Sequence, residues 1–354
     1  WPPAVGGMEV YSVELARELG ERVDLTLHAL PGRGNGQPPS LAGLAWFFCR
    51  EAAHLIRHRN RYDVIHYGDL VLFPLAWLSH LLGRRCRQAI SAHGTDIAFG
   101  LRSGWKPALY RRFLAWMAAN RAAFDCVIAN SRATAGHCEG AGLSALAVVP
   151  LGVRTAESLA DAGPDETAAG DGPYLLFVGR LVRRKGTGWF IREVLPRLPG
   201  DIRLKVAGTV WDKDEGEALA DPRVDFLGPV FGDELKRLRR RAAAVIMPNI
   251  PLDGRDFEGF GLTALEAGAD GAVLLAARLD GIVDAVEDGV TGILLPAQDA
   301  EAWAEACTRI AAWPAERRAS FVQAAHARIR SHYNWARVAD DTIAAYGPTP
   351  AGRP

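Results

Sequence analysis

The sequence predicts an α/β protein built from two units, each a parallel sheet with crossover helices. Three observations carry this expectation. At 354 residues the chain exceeds what one hydrophobic core ordinarily serves, so two domains are expected. Short β-branched or apolar runs alternate with amphipathic helical patterns, the signature of repeated βαβ units. The alternation is broken once, from Thr155 to Pro173, by a stretch of Ala, Gly, Asp and Glu with two prolines that reads as a linker.

The first unit covers 1–154. It opens on PPAVGGMEVYSVELAREL (2–19), in which Gly6 and Gly7 form a loop before a helix near 8–20. Strands are expected at VDLTLHAL (23–30), DVIHY (63–67), RQAISA (87–92), CVIAN (126–130) and ALAVVP (145–150), with helical stretches near 41–59, 70–82, 106–122 and 131–140. The hydrophobic strand expected before the Gly-Gly loop is absent, and the chain opens at Trp1 rather than methionine; together these read as a missing first strand. The second unit, 174–330, carries strands at YLLFVG (174–179), IRLKVAG (202–208), VDFLG (224–228), AAVIMP (243–248), AVLLAA (272–277) and GILLP (292–296). Residues 331–354 hold a last helix, WARVADDTIAAY (335–346), with no strand after it, expected to cross back and brace the first unit. Two such sheets facing across a cleft would bind ligands at the carboxyl ends of their strands.

Composition narrows the function classes. The balance of 49% hydrophobic and 23% charged residues is that of a soluble globular protein, and no apolar run reaches the roughly 18 residues of a membrane span. Net charge is zero, but Lys and Arg exceed Asp and Glu in residues 1–150 and the reverse holds beyond. That argues against nucleic acid as a partner and admits an anionic membrane surface, met through Arg57, Arg59, Arg61, Arg84, Arg85 and Arg87 near AWFF (45–48). Cys49, Cys86, Cys126, Cys138 and Cys307 form no CxxC pair and read as reduced thiols. No signal peptide is visible. The expected location is cytoplasmic, with peripheral attachment at the inner face of the plasma membrane.

The chemistry concentrates in EGFGLTALE (258–266). Gly259 and Gly261 allow a backbone to approach a ligand closely. A helix beginning near Gly261 or Leu262 offers free N–H groups to an anion, with Glu258 in the loop before it and Glu266 one turn inside. Phosphate at the helix start between two carboxylates suits a nucleotide sugar. FVGRLVRRKG (177–186) is a strand ending at Gly179, then a cationic loop, then a helix; Arg180 and Lys185 could both reach a diphosphate. Arg183 and Arg184 read as solvated. SAHGTD (91–96) places His93 after a strand, where it could meet a sugar hydroxyl, and makes Asp96 a turn or cap group. The histidines and DKD (212–214) lack the spacing of a metal site, and no G-x-S-x-G elbow is present.

Together these segments resemble the retaining family-4 glycosyltransferases of the GT-B fold. The resemblance runs through the Gly-Gly loop at 6–7, HGTD (93–96), NSRAT (130–134), PLGV (150–153), GRLVRRKG (179–186), EGFGLTALE (258–266) and DGVTG (288–292). It implies two Rossmann-like domains, the N-terminal one binding acceptor and the C-terminal one the nucleotide sugar. It implies that Glu258 contacts donor-sugar hydroxyls, Glu266 the ribose, and Arg180 and Lys185 the diphosphate. Gly179, Gly259, Phe260 and Gly261 would line the donor site, the amides near Leu262 and Thr263 would assist, and His93 would lie beside the transferred sugar. Family members often carry a Gly-Gly-x-x-Glu loop near the donor; here LDGIVDAV (279–286) keeps only Gly281, with Asp284 in place of the glutamate. The implied reaction moves a hexose from a nucleoside-diphosphate sugar to an acceptor hydroxyl with retention, using no cofactor and no metal ion. A non-catalytic sugar-nucleotide-binding subunit and a nucleotide-sugar epimerase are the competing expectations.

Overall fold

The computed structural model describes residues 7–32, 40–58, 60–156, 159, 172–252 and 256–348. The chain divides into two compact units, Trp1–Leu151 with Trp335–Pro354, and Gly152–Asn334. The linker expected over 155–173 lies mostly outside the described residues.

In the first unit, strands β1 (Val64–Tyr67), β2 (Arg87–Ala92), β3 (Cys126–Ala129) and β4 (Leu146–Val148) form a parallel sheet in the order β1-β2-β3-β4. Helices α1 (Gly7–Gly20), α2 (Leu41–Arg57), α3 (Phe73–Leu81), α4 (Thr95–Leu101), α5 (Trp105–Ala119) and α6 (Arg132–Gly140) accompany it. The local chemistry explains several starts. Ser40 caps α2 by accepting from the Gly43 amide, and Ser131 caps α6 by accepting from Thr134. Parallel strands covered on both faces read as continuous apolar runs, and CVIA of β3 is buried throughout. Phe73, Ile90, Ile97, Met117 and Val127 fill this core.

One expected strand does not form. Residues 24–32 carry no strand, and Val23, Leu25 and Leu27 stand 44%, 37% and 50% exposed. Their period of two fits a strand, but a strand also needs a neighbour to bond, and none pairs with this segment among the described residues. There, no strand precedes β1.

Among its described residues the second unit holds six parallel strands: β5 (Tyr174–Val178), β6 (Arg203–Ala207), β7 (Val224–Gly228), β8 (Ala244–Met247), β9 (Leu274–Ala277) and β10 (Ile293–Leu295). Their order is β10-β9-β8-β5-β6-β7, so the winding direction reverses between β5 and β8. Ligands of open α/β sheets sit at the carboxyl ends beside such a reversal. Around the sheet run α7 (Thr187–Trp189), continued by a π-helical turn, α8 (Lys213–Glu217), α9 (Gly232–Arg241), α10 (Leu262–Ala269), α11 (Ile282–Ala285), α12 (Ala300–Ala311) and α13 (Ala315–His332). Trp303, fully buried between Phe190 and Trp189, donates its indole N–H to the Pro296 carbonyl. The burial of so large a side chain is thereby achieved without an unpaired donor.

The last helix, α14 (Trp335–Ala345), returns to the first unit. There the Trp335 and Tyr11 ring centroids lie 6.3 Å apart, Arg337 donates to the Pro150 carbonyl, and the Tyr346 hydroxyl bonds His66 Nδ1 at 2.9 Å. The five cysteines are free thiols, Cys49 exposed and the others buried.

Candidate functional site

The carboxyl ends of β5 and β8 bring the cationic loop and the glutamate segment together. Two glycines make this approach. Gly186 has φ +68°, and a Cβ there would stand 2.0 Å from the Pro248 carbonyl oxygen. Gly281 lies so close to Gly259 that a Cβ would sit 2.2 Å from its oxygen. Backbone bonds fasten both sides: the Ile250 amide donates to Arg184 O at 3.0 Å, and the Gly281 amide to Glu258 O at 3.0 Å. The Asp280 carboxylate accepts from the Glu258 amide at 3.1 Å.

Glu258 is gripped through one oxygen. Its Oε2 receives Lys185 Nζ at 2.8 Å and Asn249 Nδ2 at 3.1 Å, with Arg184 Nε at 3.7 Å. Both partners of the Lys185 pair are nearly enclosed, their side chains 13% and 12% exposed. Burial pushes the Glu258 carboxyl up, but Lys185 and Arg184 beside it, with hydrogen bonds from Lys185 and Asn249, hold it below the usual glutamate range. The group is thus a fixed carboxylate, with Oε1 unbonded among the described residues.

Gly261, at φ +93°, precedes α10 and provides no side-chain cap. The amides of Leu262 and Thr263 therefore stand in a first turn without intrahelical acceptors. Gly259 and Phe260 are buried. Glu266 points elsewhere than Glu258: its Oε2 takes Arg239 Nη2 at 2.5 Å. Arg180 is exposed, its guanidinium 5.1 Å from the centroid of the Trp211 ring. Among the described residues its side chain bonds neither Lys185 nor Glu258. Gly179 (φ +148°) has its carbonyl against Gly208, where a Cβ would fall 1.7 Å away.

His93 belongs to the first unit, at the carboxyl end of β2. Its backbone amide donates to both Asp96 oxygens at 3.1 Å, and its Nε2 donates to the Gly68 carbonyl at 2.8 Å. A carbonyl only accepts, so Nε2 carries a proton, and in the tautomer this selects Nδ1 is an acceptor. Burial, then Asp96, push Asp69 up to about 6, and burial likewise raises Asp96. Asp96 holds backbone amides, as a cap group does. Of the acceptor-side pair, Gly7 begins α1 and Gly6 lies outside the described residues.

Two corrections concern arginines. Arg184 is not solvated; it is 8% exposed and faces Glu258. Arg84 and Arg87 are held by Asp125 at 2.7 and 3.2 Å rather than displayed as free surface charge, and Arg59 lies outside the described residues. Sequence reasoning also missed Asn249 and Asp280. A lone Asn after a strand carries no motif, and only the observed approach of loop to strand end reveals it. Among the described residues, no group of three or more His, Cys, Asp and Glu could hold a metal ion.

Comparison with known proteins bears on this geometry. Residues 5–157 match the family model for Glycosyltransferase Family 4, and residues 172–312 that for Glycosyl transferases group 1. A D-inositol 3-phosphate glycosyltransferase of Actinosynnema mirum is 33% identical over 248 residues, 63% of this chain and 57% of that protein. The chain thus spans little more than half the length of that relative. A glycogen synthase of Mycobacterium tuberculosis is 31% identical over 304 residues, 81% of this chain and 69% of the relative. Among solved structures, Anabaena HepE in complex with UDP and glucose superposes with a TM-score of 0.69 at 17% identity, covering 96% of this chain and 95% of that one. Sucrose-phosphate synthase from Thermosynechococcus elongatus gives 0.65 at 22% identity, covering 97% and 93%. At such identities these two likenesses show the fold alone, and that fold is GT-B.

Proposed function

The chain belongs to the group 1, family 4 glycosyltransferases, and from that premise we propose that it transfers a hexose from a nucleoside-diphosphate sugar to an acceptor hydroxyl, with retention and without a metal ion. The observation that carries the reading is the clamp on Glu258. Lys185 and Asn249 bond a single oxygen, with Arg184 facing it, and the other oxygen is unbonded among the described residues. A carboxylate so fixed is preorganised to accept a sugar hydroxyl. The uncapped start of α10 beside it suits the diphosphate.

In the proposed step the acceptor oxygen attacks the anomeric carbon from the face the diphosphate leaves. The carbon–phosphate-oxygen bond breaks as the new glycosidic bond forms, and the acceptor proton passes to the departing phosphate. The α10 amides, Lys185 and Arg180 stabilise the growing negative charge. Arg180 must leave the Trp211 face to do so. His93 Nδ1 would accept from a substrate hydroxyl, and Glu266 would bind ribose.

UDP in the HepE structure makes UDP-sugars the first donors to try, with inositol 3-phosphate and glycogen as first acceptors after the names of the relatives. A thermal-shift series with UDP-, GDP- and ADP-sugars selects the donor, and the proton coupling at the anomeric carbon of the product reads its configuration. Retained configuration, unaffected by chelator, is expected. An inverted product overturns retention, and chelator inactivation reversed by added cation overturns metal independence. A new sugar isomer formed from donor alone would instead make this an epimerase; donor binding without transfer to any acceptor would make it a binding subunit.

A second reading concerns the first unit. Leu41, Trp46 and Ile56 of α2 stand 85%, 67% and 56% exposed, with Arg57 exposed at the helix end. Apolar side chains beside a cation fit an anionic lipid surface. Flotation with phosphatidylserine-containing vesicles at low salt tests it, and a protein that stays at the bottom ends it.

A further inference from the structure

We infer that Arg239 is a positioning residue that holds Glu266 in the geometry for ribose recognition. The inference rests on the reading of Glu266 just proposed and adds to it the residue that sets its orientation.

Arg239 lies in the last turn of α9 and is 5% exposed. Its guanidinium forks onto two carboxylates: Nη2 to Glu266 Oε2 at 2.5 Å and Nη1 to Asp270 Oδ2 at 2.7 Å. Glu266 and Asp270 are four residues apart, Asp270 capping α10, and so stand on one side of that helix. The planar fork fits such a pair and a lysine point charge does not. Glu266 needs the restraint. Its side chain is 38% exposed, and a free glutamate there would sample many rotamers, a freedom that ligand binding must remove. With Oε2 held, Oε1 is the oxygen left to accept from a ribose hydroxyl. The Nε of Arg239 is buried with no hydrogen-bond partner, so among the described residues the two carboxylates are what offset the burial of this cation, which keeps the fork closed.

Arg239 therefore acts on discrimination between ribose and deoxygenated ribose, not on the reacting atoms. The test is calorimetric, on the whole chain, with UDP, GDP and ADP and the 2′,3′-dideoxy form of whichever binds. The unaltered protein should prefer the ribose form by roughly tenfold or more, the scale of a lost charged hydrogen bond. R239M and R239K should bring that ratio toward one by weakening the ribose form alone, and E266Q should do the same. A folded R239M or R239K with the unaltered ratio, beside an E266Q that loses it, overturns the positioning role and leaves the ribose reading standing. An E266Q that keeps the ratio overturns the ribose reading itself, as does failure of all three nucleotides to bind. Should R239M not fold, R239K retains the buried cation and decides the matter. A merely structural role would weaken both nucleotide forms equally.

Discussion

At Glu258 the charge arrangement sets stability and chemistry together. Removing Lys185 leaves an enclosed carboxylate facing, among the described residues, Arg184 and Asn249. Lys185→Met should destabilise the second unit by about 3 kcal/mol, the lower end for a buried pair stripped of one partner, because Arg184 remains. Denaturant unfolding of the variant measures it, and a change within ~0.5 kcal/mol would show that the pair contributes nothing net. The acid response follows from the direction of the shift. Glu258 is held below the ordinary glutamate value, so its contribution is complete above that value and is lost as pH falls through the lower, folded one. Glu258→Gln should flatten the acid limb of the stability profile there; an unchanged limb would show that the carboxylate is not stabilised by folding. Much of this site was legible in the sequence as charge at strand ends. Arg184 was not, because most loop arginines are solvated and only the close approach at Gly186 encloses this one.

Elements explain why that approach occurs. Gly186 combines φ +68° with a Cβ position 2.0 Å from a backbone oxygen, whereas Gly289 has φ +76° and nothing within 4 Å. Gly289→Ala should cost only the left-handed strain, about 1 kcal/mol. Gly186→Ala must also move the loop off Pro248 and should cost about 3 kcal/mol or more, separating Lys185 from Glu258. Equal midpoints for the two variants in urea would mean that the loop yields freely. The strands of both sheets were readable because each fits a short apolar run bounded by turn residues. The segment at 23–30 misleads for the opposite reason: Val23, Leu25 and Leu27 alternate as in a strand, yet alternation encodes a face and not a partner. Helix α4 leaves no sequence signal because its seven residues, TDIAFGL, are too short for a helical period to register, and its start depends on Gly94 at φ +82°.

At the scale of the whole molecule, the chain finishes the first unit only after completing the second. Helix α14 reaches the first sheet through a buried chain of hydroxyls and one imidazole: Tyr346 to His66 Nδ1 at 2.9 Å, His66 Nε2 to Ser91 at 2.8 Å, and Ser91 to Tyr11 at 2.9 Å. Burial, and next the neighbouring His93, depress the His66 pKa to about 4. An unfolded histidine titrates near 6.5, so below that value the unfolded chain binds the proton that folded His66 refuses. Stability of the first unit is therefore full above about pH 6.5 and declines from there toward pH 4. Hydrogen exchange followed by mass spectrometry resolves which unit responds. Acidification from pH 7 to 5, corrected for intrinsic exchange, should lower protection in Val64–Tyr67, Arg87–Ala92 and Trp335–Ala345, with His66→Gln removing most of the pH dependence. A saturating UDP-sugar at pH 7 should raise protection in Ala244–Met247 and Leu262–Ala269. If the first-unit strands keep constant protection across that range, His66 is not the group that couples the returning helix to pH. If His66→Gln retains the full dependence, the titrating group is another, and Asp69, pushed up to about 6, is opposite in sign: its raised pKa gains stability on acidification and cannot account for a loss.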